Sequence, residues 1–198
     1  MAYAVYETSP TRALRVSWTM AELGLEYESR DGPAAMQSGE LREYHPLNRI
    51  PVLIDDGRAL FESAAICTWL ADSHPDKGLI PAAGTWERAL HDQWVSFALT
   101  EIEAYLWHNF RNTRRLPEEA RVDAVVPQND DAVRTAAAAL DAALADRPYL
   151  LGDVFQVTDI IVGFTVNWAA RSGLTDGLAS LGAYRGRLLA RDACPMPA

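Results

Sequence analysis

The stretch Asn48–Asp72, NRIPVLIDDGRALFESAAICTWLAD, decides how this chain is read. Pro51–Asp56 is a strand run, Asp56-Gly57 is a hairpin dipeptide, and Arg58–Glu62 is the returning strand. From Ser63 the chain reads as a helix with a good N-cap, which Pro75 ends. Two placements exceed what a hairpin needs. X-Pro bonds alone adopt cis at low cost. A cis Pro51 would turn the Ile50 backbone outward and leave its N–H and C=O to an extended ligand added as a strand. A trans proline would only blunt an edge strand. Ser63 starts a helix, where backbone N–H groups favour a carboxylate, and Glu62 beside it can accept from an ammonium. Together they would hold an amino-acid head group carrying both charges. Separately they are a cap and a solvated strand end.

Upstream, Ala2–Glu7 reads as a short strand and Thr8–Thr11 breaks it. A helix follows with Leu14, Val16, Trp18, Met20 and Leu23 as its apolar residues and Gly24 as its stop. Glu26–Arg30 is a second strand, and Asp31–Pro46 is polar with weak helical character. The order β-α-β-α-β-β-α predicts a four-stranded mixed sheet with helices on its faces. Ser73–Gly84 is rich in Pro and Gly and is a linker candidate. Beyond it no strand pattern appears. Thr85–Asn112 reads as one long helix, Asn129–Asp146 as an alanine-rich second and Ser180–Cys194 as a short last one. Thr158–Gly173 is apolar enough to be buried on all sides. Arg115–Gln128, interrupted by Pro127, is a broken helix or a loop. The expected division is an α/β domain over 1–75, a linker over 76–84 and an all-α domain over 85–198.

The chain has 198 residues, 49% of them hydrophobic, enough to bury a sizeable core. A formal net charge of −9 argues against nucleic acid or an anionic membrane as the main partner. The two cysteines, Cys67 and Cys194, form no CxxC pair and no zinc spacing, which fits a reducing compartment and predicts no metal. Cys67 lies amid apolar helix residues and reads as a buried, inert thiol. The N-terminus lacks a basic region followed by an apolar one, and no apolar run reaches spanning length. A cytoplasmic protein is expected.

The segment Pro46–Asp72 resembles the glutathione-binding segment of the glutathione S-transferase superfamily, N-P-x-x-K/R-(V/I)-P-x-L, then a hairpin, then E/Q-S-x-A-I. This chain supplies Pro46, Arg49, Ile50, Pro51, Leu53, Glu62, Ser63, Ala65 and Ile66, with His45 in place of the asparagine. The layout is also similar, and the opening residues Ser9–Glu28 look most like bacterial members. The resemblance implies a thioredoxin-like N-terminal domain followed by a helical C-terminal domain, the GST fold. It implies that Ile50, at Pro51, bonds the cysteinyl part of glutathione, that Glu62 and Ser63 hold the γ-glutamyl head, and that Arg49 meets the glycyl end. It also maps a helix capping box onto Gln156 and Asp159, weakened because glutamine caps poorly.

Members of the superfamily activate the glutathione thiol at the end of the first strand. Hydrogen bonds and a helix N-terminus favour the thiolate of a group whose ordinary pKa is about 8.5. Here that loop holds no Tyr and no Cys; Tyr6 precedes it inside the strand. The candidates are Ser9, Thr11 and Arg12, with Ser9 preferred because it opens a Ser-Pro turn, and backbone N–H groups of the turn as a further option. Counting back from Gly24, Arg12 occupies the place of the bacterial cysteine. For the second substrate, Tyr105, His108 and Asn109 share a helix face by i, i+3 and i+4 spacing; Trp107 and Trp168 read as core. The expected activity is transfer of glutathione to a small hydrophobic electrophile by a homodimer. Glutathione serves as co-substrate, and isomerase, dehalogenase and lyase are close variants. The contrasting expectation is a non-catalytic binding or assembly module.

Overall fold

A computed structural model describes residues 3–197. Ala2, with which the first predicted strand opens, lies outside them. The chain forms two compact units: residues up to Ala83 together with Arg191–Pro197, and Gly84–Ala190.

In the first unit, β1 (Tyr3–Glu7) pairs in parallel with β2 (Tyr27–Asp31) and antiparallel with β3 (Val52–Asp55), which pairs antiparallel with β4 (Arg58–Phe61). The sheet order is β2-β1-β3-β4. Asp55 lies opposite Arg58, and both loop residues between them have positive φ, Asp56 at 46° and Gly57 at 78°. Those signs are the requirement of the type I′ turn that the Asp-Gly dipeptide predicted. Helix α1 (Ala13–Leu23) ends at Gly24 with φ 69°. Its apolar residues Val16, Trp18, Met20 and Leu23 are buried, together with Leu53 of the sheet and Ile66.

Helix α2 (Gly32–Ser38) starts where the Asp31 carboxylate accepts from the Ala34 N–H. It stops at Gly39, earlier than the expected Pro46, and a 3-10 turn over Glu40–Glu43 follows. Gly32 is required by close approach: a Cβ there would lie 2.8 Å from Ile50 Cγ2 and 2.9 Å from the Glu7 carbonyl oxygen. Helix α3 (Ser63–Ser73) completes the unit. Residues 191–197 pack with it rather than with the helical half. Arg191 donates to both carboxylate oxygens of Glu22 at 2.7 Å, and the Trp18 indole donates to the same carboxylate at 2.9 Å.

In the second unit the long helix is continuous but not uniform. Helix α4 (Trp86–Phe97), capped by Thr85, widens into a π-helical stretch over Ala98–Glu103, then α5 (Ala104–Phe110), then a second π-helical stretch over Arg111–Arg115. Helix α6 (Val126–Ala143) contains Pro127 in its first turn. The proline therefore opens this helix instead of interrupting it, because the first turn has no use for its missing N–H. Helix α7 (Val157–Arg171) is buried on nearly every side, as its composition predicts, and α8 (Ala179–Leu189) packs beside it. Asp159 accepts from the N–H of Gln156 at 2.9 Å, the N–H of Leu150 at 3.1 Å and the Tyr184 hydroxyl at 3.0 Å. The aspartate side of the capping box is thus intact. Among the described residues no helix is long and apolar enough to cross a membrane.

Candidate functional site

The hairpin and α3 bring the predicted ligand residues together. Val52 and Phe61 are the last paired residues of β3 and β4, so Pro51 and Glu62 lie one step beyond them. The Ile50–Pro51 bond is cis. Among the described residues, no backbone hydrogen bond outside the strand ladders involves the N–H or C=O of Ile50. The turn leading into it is pinned. Asn48, at φ 53°, donates through its side-chain amide to the Met36 carbonyl at 2.8 Å, and His45 Nδ1 accepts from the Leu47 N–H at 3.0 Å. The imidazole ring lies 4.7 Å from that of Phe61. Arg49 is exposed.

The start of α3 differs from the expected cap. Glu62 occupies the N-cap position with φ 70° and ψ 109°, and no side chain caps the helix. Such backbone at a bulky residue costs about 1–3 kcal/mol and collects at functional sites. Ser63 is 5% exposed, and its Oγ accepts from Arg15 Nη1 at 3.2 Å. Arg15 has no exposed surface. Sequence reasoning missed this residue; its signal is a charge set between the apolar Leu14 and Val16 on a buried helix. Behind it Cys67 is fully buried, and burial pushes its thiol up to about 12, so it is inert as read.

The loop between β1 and α1 separates its three candidates. The Thr11 hydroxyl donates to the Thr8 carbonyl at 2.6 Å and accepts from the Ala13 N–H at 3.2 Å. Its only hydrogen is committed, so it holds the turn and has none to give a thiolate. The N–H groups of Leu14 and Arg15, already inside α1, donate to the carbonyls of Thr11 and Arg12. Ser9 is exposed and follows no such pattern. It lines an open cavity of about 830 Å³ with Thr8, Leu14, Ser17, Tyr27 and Pro195. Arg12 stands at the N-cap position of α1. Tyr6 is buried in β1, where its hydroxyl donates to Glu40 and burial raises its pKa.

On the helical unit, Tyr105, His108 and Asn109 all fall within the regular α5 segment between the two π-helical stretches. π-Helical insertions are frequent at functional sites. Asn109 is already engaged: its amide donates to Asp130 at 2.8 Å and its carbonyl accepts from Asn129 at 2.8 Å. It ties α5 to α6. Tyr105 is half-buried and His108 exposed. Trp107 and Trp168 are not core residues; both are half-buried, bridged by Phe110 at ring distances of 5.7 and 6.4 Å.

Residues 11–73 match the family described as the glutathione S-transferase N-terminal domain. Over 158 residues the chain is 30% identical to Glutathione S-transferase GST-4.5 of Xanthomonas campestris pv. campestris, with 79% of this chain and 78% of that one covered. Two solved structures are similar throughout. One is a ternary complex of BphK, a bacterial GST, with TM-score 0.84, 30% identity and coverage of 96% of this chain and 95% of that one. The other is the theta class glutathione S-transferase of Xanthomonas axonopodis pv. citri with glutathione bound, with TM-score 0.81, 27% identity and coverage of 99% and 98%.

Proposed function

This chain belongs to the glutathione S-transferase superfamily, and we propose that the corner formed by Ile50, Pro51, Glu62 and Ser63 is where it holds glutathione. The observation that carries the reading is the junction of β4 and α3. A strained glutamate and a buried serine hydroxyl sit there beside a cis proline whose neighbour Ile50 has its backbone outside the ladders. Glu62 takes the ammonium of the γ-glutamyl head and Ser63 its carboxylate. Ile50 pairs with the cysteinyl backbone as an added strand, and Arg49 meets the glycyl carboxylate.

As a glutathione transferase the protein must shift a thiol of pKa about 8.5 towards its thiolate near neutral pH. Ser9, whose hydroxyl is exposed in its loop, donates to the sulfur, with Arg12 supplying positive charge at the same helix start. The thiolate then attacks an electrophilic carbon of a small hydrophobic substrate: the new C–S bond forms as the leaving group departs with its electron pair, or as an activated double bond takes up the charge. Tyr105, His108 and the half-exposed aromatic cluster around Phe110 contribute to that substrate's pocket, while Asn109 supports it from behind. A cytoplasmic detoxifying homodimer completes the reading. Trp86, 74% exposed on the first turn of the long helix, is a side chain that a second copy would cover.

The test is ultraviolet detection of the bound glutathione thiolate across pH. The bound thiol should ionise below the free value of about 8.5, and Ser9→Ala should move it back up. A bound thiol that titrates like free glutathione in the wild type removes thiol activation from this site.

A further inference from the structure

We propose that Arg15 is a positioning residue for the carboxylate of the ligand's head group, acting through Ser63; the inference rests on the reading of Glu62 and Ser63 given above. A guanidinium carries five N–H donors, no acceptor, and a permanent charge. A serine hydroxyl has one hydrogen and two lone pairs. At 3.2 Å, then, Arg15 Nη1 must donate and Ser63 Oγ must accept. The hydroxyl hydrogen has no lone pair to point at on that side. Among the described residues no group accepts it, and the side chain is not spent as a helix cap. The hydroxyl is therefore preset as a donor to whatever acceptor arrives at the helix start. The positive charge behind it strengthens that donation to an anion, since hydrogen bonds involving ionised groups are about twice as strong as neutral ones. A guanidinium with no exposed surface is costly to keep dry. An apolar residue would pack α1 against α3 without that cost, but would leave Ser63 free to turn its hydrogen inward.

The consequence is a selectivity that packing alone does not produce. Two peptides read it out by calorimetry: glutathione, and 4-aminobutanoyl-cysteinylglycine, the same tripeptide without its α-carboxylate. The wild type should prefer glutathione by about 10- to 100-fold, the range of one hydrogen bond to a charged group. Arg15→Lys, still a charged pure donor, should keep most of that preference. Arg15→Met, with no donor, and Arg15→Gln, whose amide also offers Ser63 an acceptor, should both reduce it to a few-fold. In these two the affinity for the analogue should barely change, and the KM for glutathione should rise without a matching fall in kcat. Ser63→Ala reports on the underlying reading. If Ser63→Ala loses the preference while Arg15→Met and Arg15→Gln keep it, Arg15 only packs and the inference is overturned. If neither the wild type nor Ser63→Ala discriminates between the peptides, the head group is held elsewhere and the site reading itself fails. Loss of the folded state in all three Arg15 variants, followed by thermal melting, would assign the residue to the fold and overturn the inference too.

Discussion

Ser9 and Thr11 carry the same functional group two residues apart, yet only one has a hydrogen to spare. Thr11 spends its own on the Thr8 carbonyl while accepting from Ala13. Thr11→Ala should therefore cost about 1 kcal/mol of stability, as loss of a cap does, and leave the bound thiol's titration unchanged. Ser9→Ala should do the reverse. Urea denaturation beside the thiolate titration compares the two directly, and a swapped pattern would exchange their roles. His45 adds a pH dependence. Burial holds its imidazole below the ordinary value, helped by Arg49 and opposed by Glu62. Charging the ring requires a proton on Nδ1, which would break the bond from the Leu47 N–H. Because the folded pKa lies below the unfolded value of about 6.5, the residue costs nothing above that pH. Below it, stability falls as the unfolded chain takes up the proton first, until the folded ring titrates as well. His45→Asn keeps an acceptor and cannot charge, so its stability should decline less between pH 7.5 and 5.5 in chemical denaturation. Equal declines would mean that the ring is not held neutral.

The elements show why some of this was readable in advance and some was not. The hairpin was legible because Asp56-Gly57 demands positive φ twice, and few other dipeptides accept that. The α7 segment was legible because a stretch almost wholly apolar in its middle has no solvated face to offer. The junction at Glu62-Ser63 was legible only in part. Serine at a helix start reads as a cap, but whether its oxygen turns to the helix or to a neighbour depends on Arg15, 48 residues away in sequence. The bond of Thr11 was hidden for a similar reason, since its hydrogen goes to the Thr8 carbonyl, a choice that residue type alone does not fix. Pro127 misled because proline breaks a helix interior but suits its first turn, and sequence alone did not locate that turn. The Trp107 and Trp168 pair shows that aromatic size does not decide depth. At this scale the firmest expectation concerns Asp159. Asp159→Ala strips acceptors from two N–H groups and from the buried Tyr184 hydroxyl. Each buried donor left unsatisfied costs about 1–3 kcal/mol. The variant should lose several kcal/mol in urea denaturation, and a loss under about 1 kcal/mol would show that water replaces the carboxylate.

For the molecule as a whole, the acidic balance and the two compact units set the frame, and the chemistry depends on local cations within it. A net charge of −9 repels an anionic tripeptide at long range, and in the proposed reading short-range donors outweigh it: Arg49 at the surface, and Ser63 backed by Arg15. Sedimentation at micromolar concentration should give twice the 21.8 kDa chain mass, and Trp86→Asp should shift it towards one chain. A monomeric wild type would remove the homodimer from the reading. The central claim is that this chain binds glutathione and draws a proton from its thiol. It is tested most directly by calorimetric titration with glutathione near neutral pH in two buffers of different ionisation enthalpy. The account predicts saturable binding whose apparent enthalpy differs between the buffers, which marks proton release on forming the thiolate. Saturable binding with the same enthalpy in both would contradict thiol activation, and no binding at all would contradict the site and favour a non-catalytic assembly role.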